Sequence, residues 1–113
     1  MFAIPASRAY TRHRLPTQHY SFDGADAERY GVNAAILLYH IRQCIAANVA
    51  RHQCYHDGMW WECSSIHVFH KLFPFLTTHQ IRRALTHLIK AGVVVTGRYG
   101  ETPGDRTLCY AIV

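Results

Sequence analysis

The sequence predicts an α+β fold, mainly helical, on three observations. An apolar run of helical character fills residues 33–51, a second helix signal opens with a capping box at Thr77, and the chain closes on two β-branched runs joined by a loop rich in glycine. With 113 residues, half of them apolar, the chain is expected to bury a core as one domain, without metal or disulfide staples.

Residues 1–22 hold Pro5, Pro16 and mixed polar side chains with no regular period, so an extended N-terminal arm is expected, made basic by Arg8, Arg12 and Arg14. The folded domain is expected over 23–113. An acidic opening at 23–30 gives a helical turn or two before Gly31 breaks it. Asn33 is then expected to cap a helix reaching about Arg51. Ala34, Ala35, Ile36, Leu37, Leu38, Tyr39, Ile41, Cys44, Ile45 and Val49 make that helix apolar nearly all the way round, with Arg42 and Gln43 among the exceptions. Such a helix is either the centre of the domain or spends a spare face on another subunit.

Asp57-Gly58 signals a turn, and residues 59–62 have the aromatic weighting of a short strand. Alternation in that strand sends one of Trp60 and Trp61 inward, which favours core packing over base stacking for the pair. Ser64 or Ser65 can cap a short amphipathic helix carrying Ile66, Phe69 and Phe73, stopped ahead of Pro74. Thr77 with Gln80 forms the capping box of the next helix, 77–91, where Ile81, Ala84, Leu85, Leu88 and Ile89 keep helical spacing and Gly92 supplies the stop. Residues 93–98 and 107–113 read as strands, with 100–105 as the loop between them. Helix, short strand, short helix, helix, hairpin is the order of a winged helix-turn-helix with a C-terminal β-hairpin wing, in which the third helix enters the DNA major groove.

The charge supports that expectation. Residues 1–22 carry three Arg and no acid, residues 23–76 carry four basic and five acidic side chains, and residues 77–113 carry five basic and two acidic ones. Clustered cations suit a polyanion, because each one set on a phosphate releases condensed counterions. On the 77–91 helix, His79, Arg83, Thr86 and Lys90 lie opposite the apolar stripe, flanked by Gln80, Arg82 and His87, with no acid among them. Double-stranded DNA is therefore the expected partner. Arg82 or Arg83 can pair with guanine, Gln80 or His79 can reach bases nearer the helix start, and Lys90 suits phosphate. Thr77 and Thr78 can offer hydroxyls and amides to a phosphate. Arg98, Tyr99 and Arg106 flank the hairpin tip, where a wing meets the backbone, although Asp105 and Arg106 can instead pair with each other.

Other chemistries are weaker. Cys44, Cys54, Cys63 and Cys109 include no C-x-x-C pair and are expected to be reduced and free. The nine histidines raise zinc, above all Cys54, His56, Cys63, His67 and His70, but their spacing matches no zinc pattern, so no metal or cofactor is expected. No nucleophile motif is present, and an enzyme is not expected. No apolar block of signal-peptide or membrane-span length occurs, so a cytoplasmic protein without membrane contact is expected.

Four stretches carry a family resemblance: GVNAAILL at 31–38, DGMWWECSS at 57–65, FPFLTTHQIRRAL at 73–85 and DRTLCYAI at 105–112. Together they make residues 31–113 resemble the winged-helix N-terminal domain of phage and plasmid replication-initiation proteins, the replisome-organiser type related to DnaD primosomal proteins. The resemblance implies DNA binding and oligomerisation through this domain in replication initiation or its control on a mobile element. Fuller members continue into a second domain, so a stand-alone copy is expected to act as a regulator, as a truncated initiator, or through a host protein partner. The alternative expectation is thus a phage-encoded interaction module that inhibits a host machine such as a defence nuclease complex, or a transcription regulator.

Overall fold

The structure is a computed structural model that describes residues 18–113 apart from Glu101 and Pro103. Over the described residues it is α+β: four helices and five short strands lie in the order α1 (Gly24–Tyr30), α2 (Val32–Arg51), β1 (Tyr55–His56), β2 (Met59–Trp60), β3 (Glu62–Cys63), α3 (Ile66–Leu72), α4 (Thr78–Lys90), β4 (Val94–Gly97) and β5 (Cys109–Ile112). Most of the basic arm expected over 1–22 falls outside the described residues. Its last part reaches back to the domain, where the Tyr20 hydroxyl donates to the Leu72 carbonyl (2.8 Å) and the ring packs against Phe73 and Phe75.

Asp23 caps α1 by accepting from the amides of Ala25 and Asp26. Gly31, at φ +91°, turns the chain directly into α2, a conformation that a side chain would strain. This displaces the expected cap: Gly31 itself holds the N-cap position of α2 without a side-chain bond, and Asn33 lies inside the first turn. Ala34, Ala35, Ile36, Leu37, Leu38 and Ile41 are buried, so the first half of α2 is central to the domain, with α1, α4 and the strands around it. The second half is more open, and Val49 is exposed.

Where one strand was expected at 59–62, there are two, in different sheets. Asp57 and Gly58 both take positive φ and close a tight β1–β2 hairpin, pairing Tyr55 with Trp60 and His56 with Met59. Trp61 separates β2 from β3 and is the inward tryptophan, 4% exposed, with its indole N–H donating to the His56 carbonyl (2.9 Å). β3 then joins β4 and β5 in an antiparallel sheet of order β3-β5-β4. Trp61, Cys109 and Ala111 form a small second core between the hairpin and that sheet.

The register sets Cys63 directly opposite Cys109, and the two form a disulfide. This corrects the expectation of four free thiols. The pair is 46 residues apart in sequence, so only the strand pairing brings it together; Cys44 and Cys54 are the free thiols.

The α3–α4 unit follows its sequence signals closely. Ser65 caps α3 by accepting from the Val68 amide, and the helix stops at Phe73, ahead of Pro74. At α4 both halves of the capping box form: the Gln80 amide donates to Thr77 Oγ1 (3.1 Å) and the Thr77 amide to Gln80 Oε1 (2.9 Å). Ile81, Ala84, Leu85 and Leu88 seat α4 on a core that includes Leu37, Leu38, Ile41, Phe69, Val94 and Tyr110.

Candidate nucleic-acid interface

Because one stripe of α4 is fixed in the core, its opposite side is committed to solvent. His79, Arg82, Arg83, Thr86, His87 and Lys90 are all exposed there and together line a shallow depression on the surface. Neither acid type occurs on α4, so its three cations are not offset along the helix. The positive end of the helix dipole lies at Thr78 and His79 and adds to the same sign. By contrast Arg42, on α2, is bound to Asp26 at 2.6 Å; this is the one ion pair among the described residues.

A second concavity, of about 540 Å³, adjoins this face. Gln80, Arg83, Ala84 and His87 form one wall, and Tyr30, Gly31, Val32 and Asn33, at the junction of α1 and α2, are among the residues opposite. Neither charge nor helical spacing brings that junction into the site; its local signal is Gly31, a helix breaker in the sequence. No side chain caps α2, and its first residues, Val32 and Asn33, line the same groove as Arg83 and His87.

The remaining predicted residues are less free. Thr77 and Gln80 bind each other in the capping box, leaving the Gln80 amide NH₂ and the Thr77 hydroxyl hydrogen for other partners. Thr78 is exposed in the first turn. At the β4–β5 hairpin, Arg98 donates to the Arg106 carbonyl across the strands (3.2 Å). Asp105 accepts from the Thr107 amide at 3.0 Å, which holds its carboxyl below the usual range. Tyr99 turns inward: its hydroxyl donates to Asp57 Oδ2 (2.5 Å), its ring stacks on His56 with centroids 4.6 Å apart, and it packs against Trp61. The bond to Asp57 raises its pKa. The structure thus gathers the α4 residues on one face and ties Tyr99 to the β1–β2 hairpin.

Among the described residues one group of metal-capable side chains comes together, and it is not the set weighed from sequence. His40 and Cys44 on α2 and Glu62 on β3 are half-buried, with donor atoms all within 4.8 Å of one another. Burial, with a hydrogen bond and charge from Glu62, pushes the Cys44 thiol up to about 12. Burial lowers the His40 pKa against the opposing pull of Glu62. Of the set considered earlier, Cys63 is in the disulfide and His70 faces the Leu76 carbonyl at 2.8 Å.

No family model matches the chain, and no curated protein matches it in sequence. Among solved structures, the fold is similar to one described as the N-terminal domain of a DNA binding protein, with a TM-score of 0.61 over 94% of this chain and 79% of that one. At 10% identity the likeness is one of fold. No helix among the described residues is long and apolar enough to cross a membrane.

Proposed function

We propose that the chain is a winged helix-turn-helix that binds double-stranded DNA, with α3 and α4 as the helix-turn-helix pair, α4 as recognition helix and the β4–β5 hairpin as wing. The observation that carries this reading is the exposed, acid-free outer face of α4, with Arg82, Arg83 and Lys90 on a helix whose other side is locked in the core. The similarity of fold to a domain of a DNA binding protein supports it. In this reading Arg82 and Arg83 meet base edges or phosphates, Lys90 meets phosphate, and the α1–α2 junction borders the DNA backbone beside Arg83. The resemblance to replication-initiation proteins favours a role in initiating or controlling replication on a phage or plasmid-like element, as a homo-oligomer. The chain acts as a binding protein and not as an enzyme.

Fluorescence anisotropy with mixed-sequence duplex DNA across a salt series tests the reading. Binding that weakens steeply with salt and is lost in Arg82→Glu/Arg83→Glu is the expected result. Absence of binding at low salt sinks it. A second reading, a protein-interaction module directed at a host machine, is favoured by the exposed apolar surface of Leu72 and Phe75 beside Tyr20. Under that reading charge reversal on α4 leaves activity unchanged, while Phe75→Asp removes it.

A further inference from the structure

We propose that His40, Cys44 and Glu62 form a binding site for a divalent transition-metal ion, zinc by the chemistry of the donors, that clips α2 to β3. The site is independent of the DNA reading. His40 and Cys44 are four residues apart on α2 and therefore share one face, one turn from each other. Glu62 comes from β3, against that face.

The spacing of the donors fits the ion. His40 Nε2 lies 3.4 Å from Cys44 Sγ. In a tetrahedral site with zinc–sulfur and zinc–nitrogen bonds of about 2.3 and 2.0–2.1 Å, that edge is about 3.5 Å, so these two donors already stand at ligand spacing. The third donor, on Glu62, lies within 4.8 Å of both. Imidazole, thiolate and carboxylate together suit zinc, whereas magnesium and calcium take oxygen donors.

The surroundings hold the donors in place without blocking access. The His40 ring stands edge-on to Phe69 and Phe73, at centroid distances of 5.9 and 5.2 Å, which restricts its rotation. One turn beyond Cys44, the Asn48 side-chain Nδ2 donates to the carbonyl of Trp61 (2.8 Å), fixing the residue just before Glu62 against α2. Cys63, just after Glu62, is tied to β5 by the disulfide. Glu62 is thus anchored on both sides, as a preorganised ligand requires. All three side chains are half-buried, so solvent reaches them and a fourth coordination position is left for water or an exchangeable ligand.

The test uses tag-free, metal-stripped full-length protein, without reductant and under argon so that Cys63–Cys109 stays closed. Co²⁺ is titrated in and followed by absorbance. One equivalent is expected to give tetrahedral d–d bands with a thiolate-to-cobalt charge-transfer band, both bleached by Zn²⁺. The charge-transfer band disappears in Cys44→Ser, Glu62→Gln weakens binding, and Cys54→Ser leaves both unchanged. In parallel, Zn²⁺ should protect one thiol of the wild-type protein from alkylation, mapped by mass spectrometry to Cys44, which decides the matter even if a variant fails to fold. Absence of a thiolate band at saturating Co²⁺, its survival in Cys44→Ser, or protection of Cys54 in place of Cys44 overturns the proposal.

Discussion

Opening the Cys63–Cys109 bond should destabilise the domain by a large part of its folding free energy. The bond spans 46 residues, and it ties β3 to the central strand β5 at a point where the strands are already paired. Treating its effect as loss of loop-closure entropy in the unfolded chain gives about 13 cal/mol/K for a loop of that length, or about 4 kcal/mol at room temperature. Against a usual total of 5–15 kcal/mol for such domains, roughly, that is enough to move the urea midpoint far to lower concentration. The assay is urea unfolding followed by tryptophan fluorescence, with and without dithiothreitol, alongside a count of free thiols in the denatured protein. Two thiols are expected before reduction, Cys44 and Cys54, and four after it. Cys63→Ala/Cys109→Ala should unfold near the reduced wild type and be insensitive to dithiothreitol. Four free thiols before reduction would show that the bond does not form, and an unchanged midpoint after full reduction would refute the entropic reasoning.

Four further outcomes follow from the packing and the proposed interface. Thr77→Ala removes one half of the capping box and should cost about 1 kcal/mol in urea unfolding, with Thr77→Ser recovering most of it. Leu88→Ala empties a fully buried position between α4 and the core and should cost about 2–5 kcal/mol by the same measurement; a loss under about 1 kcal/mol would contradict that packing. Lys90→Ala should lower the slope of log affinity against log salt for duplex DNA by about 1, as expected of one phosphate contact, with an equal loss on every sequence tested. Burial raises the pKa of the Tyr110 phenol above its ordinary 10.0, so the folded chain holds that proton where the unfolded chain has released it. The corresponding stability is complete below pH 10 and declines as pH rises through the folded value, and Tyr110→Phe should flatten that alkaline decline in urea midpoints.

Local signals were legible and pairings were not. α4 shows its capping box, its apolar spacing and its glycine stop within fifteen or so residues, roughly the reach over which periodicity and capping act. The common face of His79, Arg82, Arg83, Thr86, His87 and Lys90 follows from that spacing alone. Asn33 was misplaced because its capping propensity is local, whereas the positive φ of Gly31 lets α1 run into α2 with no room for a separate cap. The strand at 59–62 divides because burying Trp61 turns the chain from one sheet to the other, which strand propensity does not register. The disulfide depends on β3 lying beside β5, and the His40, Cys44 and Glu62 cluster on β3 lying against α2. Neither juxtaposition is encoded in a spacing. Tyr99 flanks the hairpin tip in the sequence, and its bond to Asp57 and stacking on His56 of the β1–β2 hairpin likewise depend on tertiary packing that no local signal carries.

That attachment of Tyr99 bears on the thermodynamics of docking. With its hydroxyl on Asp57 and its ring stacked on His56, Tyr99 braces the loop end of the β4–β5 hairpin against a second hairpin. Gly97 makes the brace possible, since a Cβ there would stand 2.6 Å from the Tyr99 ring and 3.1 Å from Trp61. In the proposed DNA complex, a hairpin held in this way would give up little motion on docking, and its contribution would carry a small ordering penalty. Calorimetry on the intact protein should then show the modest heat-capacity change of two preformed surfaces meeting. Gly97→Ala, by displacing the tyrosine, should convert the encounter into one that orders the hairpin as it binds, with a more negative entropy of association.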